Sequence, residues 1–210
     1  MILAIDTSGG TTVGLVDDGA NAVAERSSSD SRRHAEVVGS LIVECLADAR
    51  ARASDVTAVA VGMGPGPFTG LRVGIAAAEA FGLGRAVPVL RVVSHDAIAS
   101  SELASENRPL LVVTDARRRE VYWSTYSGLA SDGVPERADA AGLCRPADLE
   151  SAVPDFSRFA RVDDVAVSAV ALGVLAARMR SAERQFASAA PLYLRSPDVT
   201  VSSGPKRVTS

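Results

Sequence analysis

The chain of 210 residues has almost no lysine, few aromatic residues and little sulfur. Of its 22 basic residues, only Lys206 is lysine. That excludes a Walker A loop, in which a lysine after Gly-x-x-x-x-Gly neutralises phosphate charge. A dinucleotide-binding Gly-x-Gly-x-x-Gly is missing too, because Thr69 stands where a third glycine would follow Gly64 and Gly66. The two cysteines, Cys45 and Cys144, and the two histidines, His34 and His95, form no ligand-spaced cluster. The cysteines fit buried thiols in a reducing compartment. Aromatics are only 4% against 47% hydrophobic residues, so the core is expected from Ala, Val and Leu. A net charge of -3 argues against a large nonspecific nucleic-acid surface, though not against membership of an RNA-handling assembly. The longest charge-free helical run, Val165 to Ala177, is too short to span a bilayer. Met1 to Asp6 lacks the basic start of a signal peptide. These absences point to a soluble cytoplasmic protein without a membrane partner.

What the chain does have is concentrated between Val59 and Gly74. A β-branched run, Val56 to Val61, reads as a buried strand. Gly64-Pro65 and Gly66-Pro67 then make a stiff turn. Thr69 is placed to cap a helix from Gly70 to about Gly84. Gly70, Gly74, Ala76, Ala77, Ala78, Ala80, Gly82 and Gly84 make that helix unusually small in side chain. Each glycine costs about 1 kcal/mol of helix propensity relative to alanine. The compensation is close approach, either to the chain's own sheet or to another protein. An oxyanion on the backbone N–H groups of the helix start is a lesser reading.

Around this stretch, strands are expected at Ile2 to Asp6, Thr12 to Val16, Ala22 to Ser27 and Val87 to Val92. A helix capped by Ser29 or Ser31 is expected to run to about Ala53, its apolar face formed by Val38, Leu41, Ile42, Cys45, Leu46 and Ala49. Ser94 is placed to cap a helix reaching Ser105. Then the pattern repeats. Leu110 to Asp115 is again an apolar strand ending in a carboxylate, followed by the Ala116–Arg119 turn and a strand from Glu120 to Ser127. A weak strand is expected near Gly128 to Asp132, a short helix at Pro146, and a longer one introduced by Asp163 or Asp164 and reaching about Glu183. Periodicity thus supports an α/β chain of two related lobes.

Five blocks occur in order: Ile5-Asp6-Thr7-Ser8; Arg33-His34-Ala35-Glu36; Gly64-Pro65-Gly66-Pro67-Phe68-Thr69-Gly70-Leu71-Arg72-Val73-Gly74; Asp115 to Tyr122; and Pro191-Leu192-Tyr193-Leu194-Arg195. Together they resemble the TsaB family, dimerisation subunits of the bacterial tRNA threonylcarbamoyladenosine synthase. The glycine-proline block is the specific one.

The resemblance implies an actin-like (sugar kinase/Hsp70/actin) fold of two RNase H-like lobes, residues 1–106 and 107–195, with 196–210 a mobile tail. It implies no catalysis by this chain alone. The chain would pair with a TsaD-like catalytic subunit, joined by a TsaE-like ATPase, and meet tRNA only through the complex. ATP and metal would belong to that assembly and no cofactor to this chain. Alone, it would form a weak homodimer. The implied partner interface is Val38, Leu41, Ile42, Cys45, Gly70, Arg72, Val73, Gly74, Ala77, Ala78 and Phe81. Gly64, Pro65, Gly66, Phe68 and Thr69 would be the structural signature loop. Asp6, Thr7, Ser8, Asp115 and Arg117 would be a vestigial nucleotide cleft.

Two alternatives follow from the same residues. One is an ATP-binding enzyme using Asp6 and Asp115, with Arg117, Arg118 and Arg119 at the second phosphate turn. The other is a glycoprotease-like hydrolase, needing His34 or His95 beside Ser8 or Ser94. The TsaD-like relatives carry a His-x-x-x-His metal pair; the residue four after His34 is Val38, so the pair is broken here. Between Cys144 and Asp164 the chain is short for the family, so the second lobe is expected to lack a strand.

Overall fold

A computed structural model describes residues 1–30 and 32–195. The tail expected at 196–210, and Ser31 as a helix cap, fall outside the described residues. Strand β1 (Ile2–Asp6) is buried on both faces, Ile2 and Ala4 pointing one way and Leu3 and Ile5 the other. It pairs antiparallel with β2 (Thr11–Val16), which pairs with β3 (Ala22–Ser28). On its other side it runs parallel to β4 (Ala58–Gly62), followed by β5 (Val89–Val92). The order β3-β2-β1-β4-β5 is that of an RNase H-like sheet.

The second sheet repeats this plan. Strand β6 (Leu110–Asp115) is antiparallel to β7 (Val121–Leu129) and parallel to β10 (Ala160–Asp163). Two three-residue strands, β8 (Pro135–Arg137) and β9 (Gly142–Cys144), share the place of β3. The strand expected at Gly128–Asp132 is instead the end of β7 and a tight turn, in which the Val134 N–H donates to Asp132 Oδ1 at 3.1 Å. Among the described residues the second sheet has no counterpart of β5. So the missing strand is the outermost one, and the unpromising stretch before Asp164 supplies β10.

Helices α1 (His34–Asp48) and α2 (Phe68–Arg85) cover the outer face of the first sheet, on Leu3, Ile5, Val13, Leu15, Val59 and Val61. Helix α3 (Ser94–Ser105) and helix α5 (Ala169–Ser181) share one core with the inner residues of both sheets. Within it α5 lies on β1 to β5, whereas α3 lies on β6, β7 and β8. The two helices therefore cross the boundary between the strand sets. The one-turn helix α4 (Leu149–Ala152) backs the second sheet beside Trp123. The boundaries of three helices differ from the expectation. Helix α1 starts after Arg33 without a side-chain cap and ends at Asp48, not near Ala53. The start of α5 is capped by Ser168, whose Oγ accepts the Ala171 N–H at 3.1 Å, not by Asp163 or Asp164. Helix α2 starts at Phe68 after Pro67, so Thr69 lies in its first turn and caps nothing. Among the described residues no helix is long and apolar enough to cross a membrane.

Candidate functional site: an interlobe cleft and an exposed helix face

The signature loop is fixed by backbone and side-chain hydrogen bonds at the ends of β1, β4 and β5. After β4, the Met63 N–H donates to the Val92 carbonyl at 2.8 Å. Gly64 lies at φ +92°, a conformation that suits glycine. Its N–H donates to Ser94 Oγ at 3.0 Å, and its carbonyl accepts the Ser94 N–H at 2.8 Å. The Ser94 hydroxyl in turn donates to Asp6 Oδ2 at 2.5 Å. Ser94 is thus the first residue of α3 and ties the loop to Asp6, where the sequence suggests a helix cap.

Asp6 is buried, and its other oxygen accepts the Ser8 N–H at 2.8 Å and the Ser8 hydroxyl at 2.6 Å. Burial pushes its carboxyl above the ordinary range, while the hydrogen bonds from Ser8 and Ser94 oppose that shift. Thr7 faces away, toward α2: its hydroxyl donates to the Gly70 carbonyl at 2.8 Å and accepts the Gly74 N–H at 3.2 Å. A cleft of about 550 Å³ opens between the strand ends of the two sheets, lined among others by Asp6, Ser8, Thr114, Asp115, Arg117 and Val167. Four of the five cleft residues expected from sequence meet there; Thr7 does not line it. Asp115 is exposed; Oδ1 accepts the Arg117 N–H at 2.8 Å, and the Arg117 guanidinium lies 3.4 Å from Oδ2. Arg117, Arg118 and Arg119 hold φ of 62, 56 and 63°, a left-handed turn made without glycine.

Neither imidazole is hydrogen-bonded to Ser8 or Ser94 among the described residues. His34 Nδ1 meets Thr11 Oγ1 at 2.8 Å. Both His95 nitrogens are engaged, with Ser124 Oγ and Thr114 Oγ1, each at 2.8 Å. Burial holds His95 down to about 3 and also lowers His34, against a raising influence from Asp6. No group of three or more His, Cys, Asp or Glu is placed to hold a metal among the described residues.

The helix face needs correction residue by residue. Val38, Leu41, Cys45 and Ala78 are buried in the chain's own core beneath α1 and α2, and Gly70 and Gly74 are buried against the β1 loop. A Cβ on Gly70 would lie 2.6 Å from the Thr7 carbonyl oxygen, and one on Gly74 would overlap the Thr7 hydroxyl. For these residues the small side chain serves internal packing, so they are not open to a partner. Ile42, Val73, Ala77 and Phe81 are half-buried. Arg72 is exposed but has an intrachain setting: its guanidinium lies 5.7 Å from the Phe68 and Tyr193 ring centroids, and its Nε donates to Tyr193 Oη at 3.2 Å. The outward residues lie beyond the expected interface set: Val43, which widens the apolar stripe of α1, is 67% and Leu83 85% exposed, with Gly39, Ala76 and Ala80 also exposed on the same two helices. They lie opposite the core stripe, so the signal was apolar character where an amphipathic helix should turn polar.

The segment Pro191–Arg195 closes the site from outside. The Leu192 N–H donates to the Met63 carbonyl at 2.8 Å, and Tyr193 packs on Phe68 with ring centroids 4.3 Å apart. Arg195 pairs with Glu120 and donates to the Arg117 carbonyl at 3.3 Å. The strap therefore links the signature loop to the turn that carries the three arginines.

Comparison with known proteins agrees with this architecture. Residues 23–149 match the family model described as TsaD, tRNA N6-adenosine threonylcarbamoyltransferase. The Mycobacterium tuberculosis protein Rv3421c is 40% identical over 200 residues, spanning 94% of this chain and 92% of that one. The Escherichia coli tRNA threonylcarbamoyladenosine biosynthesis protein TsaB is 34% identical over 128 residues, 60% of this chain and 54% of that protein. The solved structure of YeaZ from Pseudomonas aeruginosa superposes with a TM-score of 0.75 at 25% identity, covering 92% of this chain and 99% of that one. With its paired RNase H-like sheets in the actin-like arrangement, the chain belongs to the TsaD family and is a TsaB-like member of it.

Proposed function

We propose that the chain is a subunit of the tRNA threonylcarbamoyladenosine biosynthesis machinery that acts without catalysis, by pairing with a TsaD-like catalytic partner. A TsaE-like ATPase would join that pair, and tRNA would be met through the assembly. The carrying observation is the outward apolar face of α1 and α2, where Leu83 is 85% and Val43 67% exposed. A water-facing strip of Leu, Val, Ala and Gly favours burial against a second apolar helix pair, at about 25 cal/mol per Å² of surface removed from water. Without its partner the same strip would bring two copies together weakly.

The non-catalytic reading is supported by Asp6. Both of its oxygens already accept hydrogen bonds inside the chain, from Ser8 and from Ser94, so the carboxylate is engaged by its own loop rather than turned toward a ligand. ATP and any metal would then belong to the partner.

The test is light scattering after size-exclusion chromatography, on the chain alone and mixed with the TsaD-like protein of the same organism. Leu83→Arg and Val43→Arg are the informative variants, because both sites are exposed in the monomer. Gly74→Arg is not, since it would break the packing on Thr7. A one-to-one complex with wild type and none with Leu83→Arg, at unchanged melting temperature, is expected. Equal complex formation by both variants would remove the α1–α2 face from consideration, and no complex with wild type would refute the pairing itself.

A further inference from the structure

Arg117, Arg118 and the uncapped start of α2 line a second feature, which adjoins the cleft and shares Pro67 and Arg117 with it. Two hollows of about 320 and 260 Å³ flank the first turn of α2. One is lined by Arg32, His34, Pro67, Thr69, Gly70 and Arg117. The other is lined in part by Phe68, Thr69, Arg118 and Arg195. Among the described residues neither lining contains a carboxylate.

Three observations converge on the first hollow. The helix has 18 residues, no side-chain cap and no acid in its first turn. Its first intrahelical bond runs from the Leu71 N–H to the Pro67 carbonyl, so the N–H groups of Phe68, Thr69 and Gly70 have no intrahelical acceptor. Second, His34 is only 6% exposed, and among the described residues its hydrogen bond is made by Nδ1, to Thr11. Its Nε2 is directed at the helix start, 3.0 Å from where a Cβ on Gly70 would sit. Third, Arg32 and Arg117 supply guanidinium groups at the mouth, the latter already beside Asp115. The carboxylates closest in influence to His34 are Asp6 and Asp30; Asp6 is turned to Ser8 and Ser94, and Asp30 Oδ1 accepts the Arg32 N–H at 3.0 Å.

When the Thr11 hydroxyl donates to His34 Nδ1, Nε2 carries the ring proton, and that N–H, the helix N–H groups and the guanidinium groups then suit a tetrahedral oxyanion. We infer that the hollow between α1 and the start of α2 binds a phosphate group, either inorganic phosphate or the phosphate of a mononucleotide. This goes beyond the pairing function and does not depend on it, because the residues lie at the N-terminal ends of the two helices, away from Leu83 and Val43.

The experiment titrates the full chain with inorganic phosphate, adenosine monophosphate and adenosine, at ionic strength held constant with chloride. Binding is followed by calorimetry and by ³¹P line width. Thr69→Glu places a fixed carboxylate in the hollow at an exposed site outside the cleft. An acid in the first turn also suits the helix dipole, so the variant should fold. Arg32→Ala is the second variant. Saturable phosphate binding, weakened at least about tenfold by Thr69→Glu and several-fold by Arg32→Ala with the melting temperature retained, is the expected result. Tighter binding of adenosine monophosphate than of phosphate would identify the source as a nucleotide, and equal binding the free ion. Binding that does not saturate, that persists in Thr69→Glu, or that adenosine reproduces without phosphate, would overturn the inference.

Discussion

His95 makes the stability of the lobe junction sensitive to acid. It sits in the first turn of α3, and its two nitrogens reach Ser124 on β7 and Thr114 on β6. A neutral ring donates through one nitrogen and accepts through the other, which the two hydroxyls can match. Burial lowers its pKa from 6.5 to about 3, with a smaller contribution from the Arg137 charge. The sign follows from proton counting. Between those values the unfolded chain binds a proton and the folded chain does not, so stability is fully present above about pH 6.5 and is lost as pH falls toward about 3. The loss is about 1.4 kcal/mol per pH unit, or roughly 2 kcal/mol between pH 6.5 and pH 5. Asp6 acts oppositely: its raised pKa adds stability below 3.8 that declines as pH rises through the raised value. A difference measurement cancels that contribution. Urea unfolding of wild type and His95→Gln at pH 5, 6, 7 and 8 gives the gap between them. At pH 7 the variant should be less stable by about 1–3 kcal/mol, the cost of a buried hydroxyl left without its partner. By pH 5 the gap should have narrowed by about 2 kcal/mol, or reversed. A gap that stays constant from pH 8 to pH 5 would falsify the assignment of a neutral, acid-resistant His95.

Two glycines of α2 should respond oppositely to the same change. At Gly84 a Cβ meets open space, so Gly84→Ala should stabilise by up to about 1 kcal/mol; at Gly74 it meets the Thr7 hydroxyl, so Gly74→Ala should lower the melting temperature. Equal shifts of one sign in thermal unfolding would contradict that geometry. Tyr193→Ala removes the ring that packs on Phe68 and Arg72 and should cost about 1–2 kcal/mol, whereas Tyr193→Phe, which loses only the Arg72 hydrogen bond, should cost about half as much or less. Hydrogen exchange at the Leu192 amide reads this directly, with faster exchange expected in the alanine variant and unaltered exchange counting against the strap.

The strands were legible because their burial is two-sided. Ile2–Asp6 and Leu110–Asp115 are apolar runs too short for a helix and bounded by turn residues, and the repeat between them exposed the duplication. Helix starts are harder to read from sequence, for a consistent reason. Thr69, Ser94 and Asp164 are the residue types that cap helices, but only tertiary structure shows whether a competing partner takes the side chain. Ser94 gives its hydroxyl to Asp6. The short strands β8 and β9 and the late strand β10 carry no long apolar run, since each is held by pairing with an already formed neighbour. Of the eleven residues expected at a partner interface, six are buried in the chain's own core, and the exposed apolar residues lie on the other side of the same two helices. Period alone finds the apolar stripe, and a core stripe and a partner stripe look alike until the sheet beneath is known.

The missing outer strand also bears on why the two halves of the cleft differ. Asp6 and Asp115 end equivalent strands, opposite Thr12 and Val121 in equivalent registers. In the first lobe, β5 delivers Ser94 alongside, and its hydroxyl satisfies Asp6 Oδ2. The second lobe has no such strand among the described residues, so nothing arrives beside Asp115 from that direction. Its carboxylate is exposed and is met from its own turn, by the N–H and guanidinium of Arg117. Bending the chain back that tightly puts three consecutive non-glycine residues in the left-handed region, at a cost of about 1 kcal/mol or more each. Pairing of Arg195 with Glu120, and its bond to the Arg117 carbonyl, help hold that turn. Arg117 and Arg118 are thereby carried toward the start of α2. The loss of one strand from the second lobe thus leaves a cleft with one sealed carboxylate and one neutralised by its own turn, and moves the positive charge to the helix start beside it.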